Sequence, residues 1–230
     1  MNLTRLITEI TNRVPDGHAR YNGPYHGGEA NYVYIPDDRN HIFDGSFDYI
    51  LKLGEGMYEK AKGQYKDDRK TGDWEFRHRG HTTQKLLHAQ YEGGRLEGKL
   101  EYFSQEKRFA NVYEVHLSLT MHNDQVVGDV YGTFSDGELV AQCNNDSYPD
   151  GQWMFRYDKR VQADTMSVEL WENGHIVDFY TEWKDKRKPV DPTCNLLNRL
   201  NSILLNVIHQ LLAIVRRGVN TTHIKILSKR

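Results

Sequence analysis

The sequence is poor in cysteine and proline and has no long apolar run near its start. Two cysteines, Cys143 and Cys194, and six prolines occur in 230 residues, too few cysteines for the disulfide framework of small secreted domains. Arg5 and Glu9 interrupt the apolar spacing of the first residues, whereas a secretory signal peptide has a continuous apolar stretch. We therefore predict a cytoplasmic protein with reduced thiols.

Motifs for catalysis, metals and nucleotides are missing as well. The eleven histidines show no HExxH spacing and the cysteines no CxxC spacing, and the densest cluster, His78 to His81, is typical of a solvated loop. No glycine-rich segment opens a helix as a phosphate-binding loop does. We predict no catalytic residues, no metal and no cofactor, with an enzyme using an unrecognised pocket as a distant alternative.

Charge is unevenly divided along the chain. The formal net charge is −2, but residues 183–230 hold ten Lys and Arg against Asp185 and Asp191 alone, which leaves 20 against 30 in residues 1–182. Such asymmetry is typical of an interacting tail. The alternative is that the basic end docks on the acidic part of its own chain.

Five tandem units dominate the middle of the chain at a period of roughly 22 to 30 residues, which predicts a repeat architecture. They start at Tyr65, Tyr91, Met121, Cys143 and Trp171. Their turn pairs are predicted at Asp67-Asp68, Gly93-Gly94, Asn123-Asp124, Asn145-Asp146 and Asn173-Gly174. These residue types favour the positive φ of tight hairpin turns. A glycine ahead of most second strands would permit a bulge.

Apolar and polar residues alternate through the units with the period of a half-buried strand. Leu87, Ala89 and Tyr91, for example, alternate with His88 and Gln90. In the fifth unit the apolar set is Met166, Val168 and Leu170, with Ser167 and Glu169 on the polar side. Each unit is therefore predicted to be a hairpin with one apolar face.

The segment from Tyr65 to Phe76 resembles a MORN repeat, whose pattern is an aromatic, a short polar turn and then Gly-x-Trp/Leu-x-Tyr/Phe. Tyr91 to Tyr102 matches nearly as well, and the likeness covers residues 30–187. It is similar to bacterial MORN-variant proteins, some of which carry an antitoxin label. The resemblance implies an elongated, twisted antiparallel sheet that contacts proteins or membranes and has no catalytic residues of its own.

Helices are predicted at both ends of this mainly β fold. Residues 1–28 would form a short N-terminal helix and lead-in, residues 29–188 the hairpin repeats, and residues 189–230 a basic helical segment that caps the sheet. Asn198, Arg199, Asn201 and other polar residues interrupt the C-terminal helix, so we do not expect it to span a membrane. Homodimerisation and membrane-surface contact through this helix are alternatives.

The predicted function is a non-enzymatic protein-binding or scaffold module whose partner is another protein. The aromatic positions proposed for partner binding are Tyr65, Trp74, Tyr91, Tyr102 and Trp153. The alternative is a peripheral membrane protein, since the cluster Lys184, Lys186, Arg187 and Lys188 suits phosphate or lipid headgroups. No aromatics are interleaved with this cluster, so nucleic acid is not an expected partner.

Overall fold

The fold is a single open antiparallel sheet whose strands follow one another in chain order. A computed structural model describes residues 14–37, 40–162, 164–183, 186–188, 196–198 and 200–201. The strands in this part of the chain are β1 (Ala19–Tyr25), β2 (Gly28–Pro36), β3 (His41–Gly54), β4 (Met57–Lys66), β5 (Arg69–Arg79), β6 (Thr83–Glu92), β7 (Arg95–Arg108), β8 (Asn111–His122), β9 (Gln125–Phe134), β10 (Gly137–Cys143), β11 (Gly151–Tyr157), β12 (Thr165–Glu172), β13 (His175–Trp183) and β14 (Lys186–Lys188). A single helical turn, α1 (Lys159–Gln162), joins β11 to β12.

The prediction of a mainly β, antiparallel hairpin sheet is confirmed. The lead-in predicted for residues 1–28 includes a strand, because Ala19–Tyr25 pairs with β2 as the first strand of the sheet. Residues 1–13 of the predicted N-terminal helix lie outside the described residues. Of the predicted C-terminal helix, residues 196–198 and 200–201 are described and are helical.

One face of the sheet, which we call the core face, carries a continuous cluster of buried side chains. Its largest fully buried members include Trp74, Phe76, Trp153, Phe155 and Trp171. Because side chains alternate along a strand, the residues between them lie on the opposite, outer face. The apolar side chains on this face are therefore covered mainly by one another, across neighbouring strands.

Glycine-centred bulges lie inside the second strand of several hairpins rather than ahead of it. Lys62 pairs with Glu75 and Gln64 with Thr71, so Gly72, Asp73 and Trp74 lie opposite Gly63 alone. Gly72 takes a φ of 64°, which glycine adopts without steric cost. The Trp74 ring lies so close to Gly63 that a Cβ there would approach it to 2.2 Å. The bulge thus makes room for a buried tryptophan.

The same arrangement recurs later in the chain with a second tryptophan. The indole Nε1 of Trp74 donates to the carbonyl oxygen of Gln64 at 3.0 Å, and that of Trp153 donates to the carbonyl oxygen of Gln142 at 2.7 Å. Both indoles therefore bury their rings while keeping their N–H group hydrogen-bonded.

Two details of the predicted units are wrong. The pair Asn145-Asp146 does lie in a turn, closed by the Ser147 N–H on the carbonyl oxygen of Asn144 at 3.0 Å. The hairpin loop is longer than the tight turn predicted, because the Oδ1 of Asn144 accepts the N–H groups of Asp146 and Tyr148, and the positive φ falls on Ser147. The faces of β12 are also reversed. Ser167 and Glu169 pair with Phe155 and Trp153 on the core face. Met166, Val168 and Leu170 therefore lie on the outer face.

Hydrogen bonds between turns join successive hairpins along one edge of the structure. The second residue of a turn donates its N–H to a carbonyl of the hairpin before it: Asp68 to Phe43, Gly94 to Lys70, Asp124 to Leu96 and Gly174 to Pro149, at 2.8 to 3.0 Å. Where that residue is aspartate, its Oδ1 also accepts an N–H in return, from Phe43 at 2.6 Å and from Leu96 at 2.7 Å. We call each such contact a turn-to-turn bridge.

Asp124→Gly tests the carboxylate half of this bridge. Gly94 and Gly174 hold the equivalent position, so glycine suits the positive φ of 66° and only the carboxylate is lost. The Leu96 N–H then loses its acceptor, and we expect the free energy of unfolding in urea to fall by about 1–2 kcal/mol.

The matched control is Gly94→Asp, which places an acceptor beside the equivalent Lys70 N–H. A Cβ at Gly94 makes only ordinary contact with Arg69, at 3.6 Å, although its φ of 87° disfavours most side chains other than Asn and Asp. We expect this variant to lose less stability than Asp124→Gly. Equal losses would show that the carboxylate contributes nothing to the bridge.

Candidate functional site

All five aromatic residues predicted to bind a partner are buried in the core face. Tyr65, Trp74, Tyr91, Tyr102 and Trp153 are at most 6% exposed and belong to one cluster. Their contacts are with each other and with neighbouring strands, as in the edge-on packing of Tyr65 against Trp74 at 5.0 Å. Partner binding through these side chains stays a prediction.

The basic cluster predicted to contact phosphate or lipid lies at the end of the sheet. Lys186, Arg187 and Lys188 form β14, which pairs with Thr181 to Trp183 of β13. Lys184 and the side chains of β14 lie outside the described residues, so contact with lipid or phosphate also stays a prediction.

A lysine that the sequence reasoning missed lies among aromatic rings on the core face. The Nζ of Lys70 is 5.1 Å from the ring centroid of Tyr91, 5.2 Å from that of Trp74 and 5.6 Å from that of Phe76. Among the residues that the structure describes, no carboxylate forms an ion pair with it. We call Lys70 and these three rings the lysine cage.

The pairing register shows that Lys70 occupies a position held by apolar residues in other hairpins. Lys70 pairs with Tyr65 directly after a hairpin turn, and the equivalent pairs in the next two regular hairpins are Tyr91 with Leu96 and Met121 with Val126. Leu96 and Val126 are buried at 2% and 0% exposure. An alignment of the units would therefore have identified Lys70 as a charged residue in an apolar position.

Burial and the aromatic rings act in opposite directions on the charge of Lys70. Burial lowers the pKa of Lys70 to about 8, because the ammonium loses its hydration. The three ring faces attract the cation and oppose this shift, by about 0.5–2 kcal/mol. Burial also raises the pKa of the Tyr65 and Tyr91 hydroxyls. Neither hydroxyl has a hydrogen-bond partner among the described residues.

The outer face carries a row of side chains in which each residue is the cross-strand partner of the next. We call it the outer row. Its members from β4 to β13 are Lys62, Glu75, His88, Glu101, Ser118, Tyr131, Val140, Met154, Val168 and Tyr180. The first four are charged or titratable and the last five are apolar or aromatic, so the row changes character at Ser118.

A shallow groove of about 240 Å³ lies where the outer row changes character. Its lining includes Leu86, His88, Glu101, Phe103, His116, Ser118 and Tyr131. The rings of Phe103 and His116 pack at 4.6 Å, and Tyr131 and Val140 are 47% and 43% exposed. This part of the outer face therefore presents aromatic and aliphatic surface to the solvent.

Charged residues flank the groove towards β4. The Nε2 of His88 lies 3.8 Å from Glu75, and Arg77 donates to the same carboxylate at 2.8 Å. The hydrogen bond from Arg77 holds the pKa of Glu75 below its usual value. The groove thus has a polar border on one side and the apolar half of the outer row on the other.

Two other kinds of site, a metal site and a membrane span, can be checked in the described residues. In this part of the chain no three His, Cys, Asp or Glu side chains are grouped as a metal site, and no helix is long and apolar enough to cross a membrane. Cys143 is buried as a free thiol, and burial raises its pKa to about 12. Such a thiol is a poor nucleophile.

Comparisons with known proteins add no family to this description, since no protein-family model matches the chain and no curated protein is significantly similar to it.

Lys70→Leu tests how much the Lys70 ammonium lowers the free energy of unfolding. We expect the free energy of unfolding at pH 7 to rise by about 1–3 kcal/mol, because leucine suits this position in the next hairpin. The pKa of Lys70 is lower in the folded protein than in the unfolded chain. From about pH 8 to 10.5 the folded protein has released this proton while the unfolded chain still holds it, so the parent protein gains stability as pH rises. The advantage of leucine should shrink over the same window.

Urea unfolding at pH 7, 8.5 and 10 measures this effect. The control is Lys62→Gln on the exposed outer face, which should show no such change with pH. A difference between Lys70→Leu and the parent that stays constant from pH 7 to 10 would contradict the desolvation of Lys70.

Proposed function

We propose that this chain is a non-enzymatic protein-binding module that uses the outer face around Tyr131 and Val140. The observation that carries the proposal is the exposure of these two cross-strand neighbours, 47% and 43%, beside the packed rings of Phe103 and His116. Side by side, these residues form a small exposed apolar and aromatic patch. Aromatic residues are enriched and charged residues depleted at the centre of protein interfaces.

The shape of this surface favours a protein over a small molecule. A pocket for a drug-sized ligand is usually about 300–1,000 Å³ and encloses most of its ligand. The groove here is about 240 Å³ and lies on an open sheet face. A partner with its own apolar side chains would bury Tyr131 and Val140, while Glu75, Arg77 and His88 would form the polar rim.

The repeat pattern supports the same class of function. The MORN-like units imply a sheet used for contact with other molecules, and the strands here present one continuous outer face for that purpose. We place the protein in the cytoplasm, because its cysteine content is low and Cys143 is a free thiol.

The double variant Tyr131→Ser, Val140→Ser tests this proposal. Both side chains are half exposed, so we expect the melting temperature to change little, while cross-linking to the partner in extracts of the native host is lost. Quantitative mass spectrometry of cross-linked peptides gives the readout, because it reports both the partner and the face that contacts it.

Lys62→Ser, at the charged end of the outer row, is the matched control and should retain the cross-links. Cross-links that survive in the double variant, or that map to the core face, would contradict the proposal. If the double variant lost binding to anionic vesicles but kept its protein cross-links, a membrane-peripheral function would be favoured instead.

We also propose that the C-terminal helical segment caps the core face. Leu196, Leu197 and Leu200 are at most 5% exposed and belong to the core cluster. The Leu196 N–H donates to Oε1 of the buried Glu169 at 2.7 Å, and the Trp171 indole donates to Oε2 at 3.0 Å. Glu169 thus interrupts the apolar core face where it can accept a backbone N–H of the helical segment.

Deletion of residues 194–230 tests the cap. The core face beside Trp171 would lose Leu196, Leu197 and Leu200, so we expect an insoluble or oligomeric product. The point variant Leu200→Asp should lower the melting temperature in the full chain, because it buries a carboxylate in the apolar cluster. A soluble, monomeric truncation with an unchanged melting curve would exclude the cap.

A further inference from the structure

A second concave site lies on the outer face, at the end of the sheet opposite the turn-to-turn bridges. It is a cleft of about 280 Å³ between the turn that joins β3 to β4, the turn that joins β5 to β6, and the end of β7. Its floor includes Arg79, Gln84 and Gln105, which are cross-strand neighbours. His81 and Lys107 also line it, and we call it the basic cleft.

Neighbouring carboxylates do not neutralise the cations of the basic cleft. Among the described residues, Arg79 and Lys107 form no ion pair. His81 adds a third basic group, and Glu55 is the one carboxylate among the described residues that line the cleft. The cleft therefore has a local excess of positive charge, which attracts an anion.

Arginines beside the cleft are held in a different way. Arg108 donates to Glu106 at 2.9 Å, two positions before it on the same strand. Arg77 donates to Glu75 at 2.8 Å, with the same spacing. Arg79 has no carboxylate at that spacing, so its guanidinium stays available to a ligand.

Backbone hydrogen bonds fix the turn that carries His81 against β7. The Gly80 N–H donates to the carbonyl oxygen of Thr83, and the Lys107 N–H donates to the carbonyl oxygen of Thr82, both at 2.8 Å. The basic groups of the cleft are therefore attached to backbone positions that are fixed relative to one another. Such a preorganised set of donors binds a ligand at a lower entropic cost than unconnected mobile side chains.

We propose that the basic cleft binds a phosphate monoester, with the dianionic phosphate group between Arg79 and Lys107. A guanidinium can donate two parallel hydrogen bonds to one phosphate, and a lysine ammonium adds a point charge. The hydroxyl of Thr82, in the same cleft, is a further donor. Two cations and a histidine match a dianion better than a singly charged carboxylate. The volume lies below the roughly 300–1,000 Å³ of pockets for drug-sized ligands, which suits a small anionic group.

Titration of the ¹⁵N-labelled full chain with inorganic phosphate tests the site. The ionic strength is kept at about 0.15 M, where the Debye length is about 8 Å and distant charges are screened. We expect saturable NMR shifts of the His81, Thr82 and Lys107 amides, and none with potassium chloride at the same ionic strength. Shifts that grow without saturation, or that spread over the basic residues of the whole chain, would overturn the proposal.

Arg79→Gln and Glu55→Gln should change the dissociation constant for phosphate in opposite directions. Arg79→Gln removes a charge-assisted hydrogen-bond donor and should weaken binding about tenfold. Glu55→Gln removes a carboxylate that repels the anion, so it should strengthen binding. Both side chains are exposed, and we expect the melting temperature to change little.

Arg108→Gln is the matched control, because it removes the same charge one residue from Lys107 but from a side chain that Glu106 holds outside the cleft. Its dissociation constant should stay within about twofold of the parent value, since exposed charges at a distance are screened. A dissociation constant that Arg79→Gln leaves unchanged, or that both variants raise equally, would contradict the site.

Sedimentation with phosphatidylcholine vesicles, with and without phosphatidic acid, distinguishes two sources of the phosphate group. Sedimentation that needs phosphatidic acid and is lost in Arg79→Gln would identify a lipid headgroup. Saturable binding of inorganic phosphate without sedimentation would identify a soluble monoester, and both results support the site. The double variant Tyr131→Ser, Val140→Ser should bind phosphate as the parent does, so this test is independent of protein binding at that surface.

Discussion

The turn-to-turn bridge is the contact on which the rest of the structure depends. Four hairpins are each fixed to the preceding part of the sheet at the same point, through a backbone N–H of the turn and, at Asp68 and Asp124, a carboxylate that accepts in return. This contact sets the position of one hairpin relative to the next. The outer row and the repeated core positions exist only because that offset is the same from unit to unit. A sheet without it could slip by a residue, which would exchange the two faces.

The core face shows how this single sheet buries large side chains. The bulge at Gly72 adds residues to one strand, and Gly63 on the opposite strand leaves room for the ring of Trp74. Lys70 and Glu169 are two charged residues on this surface, and they differ in their surroundings. Glu169 accepts hydrogen bonds from Leu196 and Trp171 and so has a structural role at the end of the sheet. The Lys70 amine lies near three aromatic rings and forms no ion pair among the described residues.

Much of the fold could be predicted from local patterns, because hairpins are local structures. The turn pairs Asp67-Asp68, Gly93-Gly94 and Asn123-Asp124 all have positive φ, as their residue types indicated. The fourth loop is longer than the predicted tight turn because the side chain of Asn144 accepts two of its backbone N–H groups. The faces of β12 were mispredicted because its core side carries the polar residues Ser167 and Glu169, whereas its outer side is apolar. The outer row could not be predicted, because each bulge shifts the pairing register and these shifts add up along the sheet. Lys70 could have been found by aligning the units, but its aromatic surroundings required coordinates.

The chain-order meander has a mechanical consequence. In the described sheet, every strand from β2 to β13 forms its ladder hydrogen bonds with the strand before it and the strand after it in the chain. A force applied at the two ends of such a sheet pulls at the edge strands, and it loads their hydrogen bonds one after another instead of all together. The sheet would therefore peel open strand by strand at low force, and it would close again by the same local steps, because each strand always has its partner next to it in the chain.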